Sequence, residues 1–217
     1  MRLLRIPGVL HPPSDTWLLA GRMLAEPVPK CGSILDLCAG TGVLAMLAAR
    51  EHRADVVAVD ISRRAILTTK VNARLNGVTV TAIRGDLFAP LDERRFDLIV
   101  SNPPYLPSAN GAPGSHSSAR AWNAGPSGRE YLDRICREAP AHLHPGGSLL
   151  LVHSSVCGER PTITALEAAG LTPAVLRRQR GPFGPLLSAR IDWLRSRGLV
   201  GDDASEELLV IRGARGE

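Results

Sequence analysis

The sequence predicts an α/β fold: one domain in which a seven-stranded, mostly parallel sheet carries helices on both faces. Three observations predict it. Short apolar runs alternate with helix-like stretches, the pattern of strands buried on both sides by crossover helices. The first of these runs ends in a carboxylate and turns through two glycines into a helix. The chain has 217 residues, 44% of them hydrophobic, enough for one sizeable core.

In chain order, residues 1–30 form an N-terminal lead-in, and Ser33 to Leu37 is the first strand. A helix follows through Leu44, Leu47 and Ala48. The second strand is Asp55 to Val59, and its helix runs from Arg63 to Leu75, stopped by Asn76-Gly77. Val78 to Ile83 is the third strand and Phe96 to Val100 the fourth. After a Gly/Ser/Pro-rich stretch, 108–118, Arg129 to His142 reads as helix. Pro145-Gly146-Gly147 turns the chain into a fifth strand, Ser148 to Val152. A helix from Thr162 to Ala169 stops at Gly170, and strands follow near Thr172 to Leu176 and at Leu208 to Ile211. Between these last two, 185–199 reads as one inserted amphipathic helix, with Leu187, Ile191 and Leu194 on one side. Arg190, Arg195 and Arg197 would line its polar side.

The segment Ile34-Leu35-Asp36-Leu37-Cys38-Ala39-Gly40-Thr41-Gly42 carries the first chemistry. Glycines let the backbone bend sharply and let a ligand approach where a Cβ would stand. The next helix offers free N–H groups at its start. Gly40, Gly42 and Ala45 alone also fit a dinucleotide fingerprint. Asp36 argues otherwise, because a carboxylate there suits an ammonium better than a pyrophosphate. Asp60 closes the second strand, where it can accept both hydroxyls of a ribose. Asp86 follows the third, placed for an adenine amino group, with Ile61 and Leu87 flanking the ring. Together they favour S-adenosylmethionine over NAD.

The fourth strand empties into Ser101-Asn102-Pro103-Pro104-Tyr105. In a doubly wound sheet the first and fourth strands are neighbours where strand order reverses, and ligands bind in that crevice. Pro103 biases Asn102 to an extended backbone, and both prolines present carbonyl oxygens in a stiff frame. The Asn102 side-chain oxygen and the Pro103 carbonyl can accept the N–H groups of a planar amide or amine, localising its lone pair. Tyr105 can stack on the plane. Catalysis would then be mainly positioning, which supplies roughly 7–11 kcal/mol when geometry is right.

At these residues the chain resembles the Rossmann-like class I methyltransferases, and among them the HemK-type protein glutamine N5-methyltransferases, whose NPPY signature matches Asn102-Pro103-Pro104-Tyr105. Pro13-Ser14-Asp15-Thr16-Trp17-Leu18-Leu19 is similar to the P-x-x-D-[ST]-F-L-L segment of the short, eukaryotic and archaeal-like branch. Ala121-Trp122, Gly125, Gly128-Arg129-Glu130 and Pro145-Gly146-Gly147 are similar to its later motifs. The extra N-terminal helical domain of the bacterial enzymes has no counterpart before the first strand. The resemblance implies cofactor contacts from Thr16, Asp36, Cys38, Gly40, Gly42, Asp60, Ile61, Asp86, Leu87 and Asn102, with no metal. Cys38 stands where the family's D/E-x-G-x-G-x-G pattern has its first glycine. It also implies a glutamine-bearing protein substrate such as a translation release factor. Short-branch enzymes in some lineages work with a small zinc-binding activator subunit, which makes such a subunit a candidate partner.

Two other acceptors stay open on the residues alone: a nucleic-acid base amino group and a small molecule. Base methyltransferases usually carry a target-recognition region, for which this chain has no room. The net charge of +5 comes almost wholly from arginine, with acids scattered among them, so it reads as compositional bias. Arg177-Arg178-Gln179-Arg180, the densest basic run, reads as a solvated strand end. An NAD-linked oxidoreductase would need a hydride-site acid or base, and the six histidines stand on no recognisable motif. Four cysteines without metal spacing, and the lack of a secretory signal or membrane span in the sequence, make the cytoplasm the default expectation.

Overall fold

The structure, a computed structural model, describes residues 1–109, 121–203 and 205–217. Most of the Gly/Ser/Pro-rich stretch 108–118 and His116 lie outside the described residues. Seven strands form one sheet in the order β3-β2-β1-β4-β5-β7-β6. They are β1 (Ser33–Leu37), β2 (Asp55–Asp60), β3 (Thr81–Arg84), β4 (Phe96–Ser101), β5 (Leu143–Ser154), β6 (Thr172–Pro182) and β7 (Ser205–Ala214). The first five are mutually parallel; β7 runs antiparallel to both β5 and β6.

The helices are α1 (Ser14–Met23), α2 (Val43–Glu51), α3 (Arg63–Leu75), α4 (Glu130–Glu138), α5 (Glu159–Ala168), α6 (Pro185–Ser188) and α7 (Ile191–Ser196). Alternate strand residues feed two cores, as a pleat requires. Ile34, Val56, Leu98 and Val100 pack with Leu19 and Met23 of α1 and Leu44 of α2. Leu35, Leu37, Val57 and Ile99 pack with Leu132 and Ile135 of α4 and Leu166 of α5.

Several boundaries differ from the sequence reading, each for a local reason. The third strand starts at Thr81, not Val78, because Val78 N–H closes α3 on the Ala73 carbonyl at 3.1 Å. The helix expected over 129–142 is α-helical only to Glu138, then tightens to a 3₁₀ turn, Ala139–His142, at Pro140. The last two strands run longer than expected, since β6 and β7 zip together antiparallel along most of their length.

The inserted segment is two short helices rather than one. Arg190, at φ −119°, leaves the helical region between them. Leu187 and Leu194 are buried with Phe183 and Val156 in a third small core.

The N-terminal lead-in is tied to α3 by two asparagines. Asn76 exchanges hydrogen bonds with the Arg2 backbone and Asn72 with that of Leu4, at 2.7–3.0 Å. Asn72, fully buried, also donates to the Thr41 carbonyl at 3.0 Å. Thus α3 holds both the start of the chain and the glycine turn.

Candidate active site

Two loops share one cleft because their strands are neighbours: Leu37 of β1 lies opposite Ser101 of β4. The Ser101 hydroxyl donates to the Leu37 carbonyl at 2.9 Å, fastening the two strand ends. Cys38 and Asn102 are therefore the next residues outward on adjacent strands.

The glycine turn has an unusual backbone. Cys38 sits at φ +59°, Gly40 at +55° and Gly42 at +78°. A left-handed cysteine costs roughly 1–2 kcal/mol, and this explains why a glycine suits that position. Gly42 is required twice, since a Cβ there would also meet Thr69 Cγ2 at 2.6 Å. Gly40 differs: its missing Cβ faces open space, the nearest atom being the Cys38 carbonyl at 4.0 Å. Room for a ligand, rather than packing, lies beside it.

Around this turn the carboxylates are unevenly satisfied. Asp36 is fully buried; Oδ2 accepts from Ala45 N–H at 3.0 Å, while Oδ1 has no partner. Burial pushes its pKa up to about 8, against the Ala45 hydrogen bond and with a smaller push from Asp60. Asp60 accepts from the N–H groups of Gly40 at 2.9 Å and Ser62 at 2.8 Å. Burial still raises its pKa. Asp86 faces Arg134, whose Nη1 and Nη2 donate to its two oxygens at 3.3 and 3.1 Å. Ile61 is exposed and Leu87 buried.

The second loop is organised by a residue the motif reading did not single out. Asp15, on the first turn of α1, is buried. Its Oδ1 accepts from Asn102 Nδ2 at 3.0 Å and from Thr16 N–H at 2.6 Å, and its Oδ2 accepts from the Tyr105 hydroxyl. Asn102 Nδ2 donates also to Thr16 Oγ1 at 2.8 Å. A carboxylate only accepts, so the Asn102 group facing it must be the NH₂. Both amide hydrogens are thereby engaged, and Oδ1 is left as an acceptor. Burial and the Asp15 charge together raise the Tyr105 pKa well above 10, so the phenol stays protonated.

Thr16, assigned to the cofactor on the sequence, is found bonded to Asn102. In sequence Asp15 carries no assigned role, residues 1–30 reading only as a lead-in; the signal that could have found it is its place one residue before Thr16 in the Pro13–Leu19 motif.

Glu206 of β7 was missed too, and a polar strand end gives no signal for it. Its Oε2 is buried without a partner, and burial raises its pKa, with a further push from Asp15. Among the described residues His153 is the histidine fully buried. Burial lowers its pKa to about 4, and Nε2 pairs with the Thr162 hydroxyl at 3.0 Å, a core arrangement. No metal-holding group of three or more His, Cys, Asp or Glu occurs among the described residues, and no described helix is long and apolar enough to cross a membrane.

A Rossmann-like sheet with a glycine turn after its first strand is the fold of the class I methyltransferases, and here an asparagine-proline bend shares that cleft. Residues 15–113 match the family model "Methyltransferase small domain". The chain is 33% identical over 181 residues to a putative protein N5-glutamine methyltransferase of Methanocaldococcus jannaschii, covering 83% of this chain and 90% of that protein. It is 36% identical over 151 residues to the release factor glutamine methyltransferase of Geobacter sulfurreducens, covering 67% of this chain but only 53% of that enzyme. The chain thus spans about half the length of that longer bacterial relative. Among solved structures it is similar to E. cuniculi Mtq2 in complex with Trm112, at a TM-score of 0.66 and 20% identity, covering 96% of this chain and 99% of that one. The chain belongs to the protein N5-glutamine methyltransferase family of class I methyltransferases. It is a methyltransferase, and its methyl donor is S-adenosylmethionine.

Proposed function

We propose that the enzyme methylates the side-chain amide nitrogen of a glutamine in a translation release factor, in the cytoplasm. The observation that carries this reading is the double donation of Asn102 Nδ2 to Asp15 and Thr16, which leaves Oδ1 to accept. Paired with the Pro103 carbonyl as second acceptor, that oxygen would match the two N–H groups of a primary amide. The named relatives point the same way: one acts on release factors, and the Mtq2–Trm112 complex methylates the termination factor eRF1.

The donor-side residues fit S-adenosylmethionine. Asp36 has a buried, unpartnered oxygen suited to an ammonium, and Gly40 leaves open space where a side chain would stand. Asp60 would accept from the ribose hydroxyls, and Asp86, Ile61 and Leu87 would flank the adenine. Cys38 and Gly42 shape the turn, and Thr16 links the donor side to Asn102. When bound, S-adenosylmethionine supplies an electrophilic methyl group.

The protein's own work lies on the acceptor side. Asn102 and Pro103 accept the amide hydrogens, concentrating electron density on the nitrogen. The Tyr105 ring, tethered by its hydroxyl to Asp15, borders the amide plane. Such fixed dipoles need no reorganisation during the reaction. An activator subunit of the Trm112 type belongs to this reading as a partner. Radiolabelled methyl transfer to purified release factor, rRNA, DNA and a metabolite pool, run in parallel, tests it. Label is expected on release factor and to vanish with Asn102→Ala, donor binding persisting in titration calorimetry. Label on nucleic acid alone, or full turnover in Asn102→Ala, would overturn the reading.

A further inference from the structure

The segment between β6 and β7 is built onto the bend after Asn102. Leu187 and Leu194 are buried with Val156 and Phe183, and Leu106 lies against this cluster. From the junction of α6 and α7, Arg190 Nη1 donates to the Pro107 carbonyl at 2.7 Å. Burial alone lowers the guanidinium pKa, with no carboxylate offsetting it. A partly desolvated cation is therefore held against a neutral carbonyl. That costs desolvation an apolar side chain would avoid, and the return is a strong, directional bond.

The rest of the bend is fastened just as closely. Leu106 N–H donates to the Trp122 carbonyl at 2.7 Å, and Leu106 O accepts from Ala124 N–H at 3.0 Å. Ser108 N–H donates to the Gly125 carbonyl at 2.9 Å, and the Cys157 thiol donates to the Tyr105 carbonyl at 2.9 Å. Pro107 has no N–H, so its carbonyl is its one backbone polar group, and Arg190 supplies its tie.

We propose that Arg190 is a positioning residue: it clamps the 185–199 insert onto Pro107 and so holds Tyr105 and Asn102 in their acceptor-binding arrangement. The insert is then a wall of the methyl-acceptor cleft. This rests on Asn102–Tyr105 being the acceptor bend.

The test compares Arg190→Met, which keeps the stem and loses the donors, with Arg190→Ala and Asn102→Ala. Hydrogen exchange at the Leu106 and Ser108 amides is expected to quicken at least several-fold in Arg190→Met. With purified release factor kcat should fall about 10–100-fold, donor Kd staying unchanged, and millimolar guanidinium should restore part of the rate to Arg190→Ala. Unchanged amide exchange overturns the proposal whatever the acceptor proves to be. So does wild-type turnover in Arg190→Met, or a loss that guanidinium leaves untouched and that follows a lowered unfolding midpoint. If Asn102→Ala keeps full turnover, the acceptor bend itself is misplaced and both readings fall; if it alone loses turnover, only the role of Arg190 falls.

Discussion

Donors from three residues converge on the Asp15 carboxylate: its neighbour Thr16, and Asn102 and Tyr105 of the bend after β4. Removing the carboxylate frees the Asn102 amide to rotate and the Tyr105 ring to swing. A misplacement of about 1 Å in a reacting group can cost on the order of 10²-fold in rate. Asp15→Ala is accordingly expected to lower kcat by about that factor with donor Kd little changed; a variant that turns over normally would show that Asn102 needs no such anchor. Asp36 makes a separate prediction. Its pKa is about 8 in the folded protein against 3.8 for a free side chain, so the folded state keeps a proton that the unfolded chain gives up. The stability linked to that proton is complete below an unfolded pKa of about 4 and is lost as pH rises toward the folded value. The donor-free protein should therefore lose thermal stability over this window, and Asp36→Asn should flatten the loss. An ammonium beside Asp36 favours the carboxylate, so donor binding near neutral pH should release a proton. Calorimetry in two buffers of different ionisation enthalpy reads this directly, and equal heats would reject it.

Strands and helices carry the cleft by their ends, and here glycines matter more than charge. Gly128, at φ +73°, sits so close to the acceptor bend that a Cβ would stand 2.3 Å from the Tyr105 carbonyl. Gly128→Ala is expected to destabilise the fold by about 2 kcal/mol or more and to cut turnover further than the unfolding midpoint alone explains, as denaturant titration beside kinetics can show. Cys38→Gly should leave stability within about 1 kcal/mol of wild type, since relief of the left-handed cysteine is offset by a freer unfolded chain. Much of this was legible beforehand. Strands buried on both faces announce themselves as apolar runs, and a carboxylate before a glycine turn marks a ligand-facing strand end. Hidden were contacts between distant segments. Asp15 reads as one more residue of the lead-in until Tyr105 is seen to reach it, and Arg190 reads as a solvated side chain until Pro107 is seen opposite. The break at Arg190 was equally silent, because the spacing of Leu187, Ile191 and Leu194 suits one helix or two.

Across the molecule, the sheet separates two cores and gathers both ligand-facing loops at the carboxyl ends of β1 and β4. The first few residues contribute through Asn72, which bonds both Leu4 and Thr41. Deleting residues 1–8 leaves a buried amide with lost partners, a penalty of roughly 1–3 kcal/mol. Donor affinity should weaken along with the unfolding midpoint; a truncated chain that binds the donor normally would show the turn to be self-supporting.

Asp15 and Asn102 stand 87 positions apart, so their union has a history during synthesis as well as a geometry. At about 5–20 residues per second, the ribosome delivers Asn102 roughly 4–17 s after Asp15. Through that interval the nascent chain holds an unquenched acid with nothing to orient. Competence to transfer a group therefore waits on the pairing of β4 with β1, and a half-made chain has none.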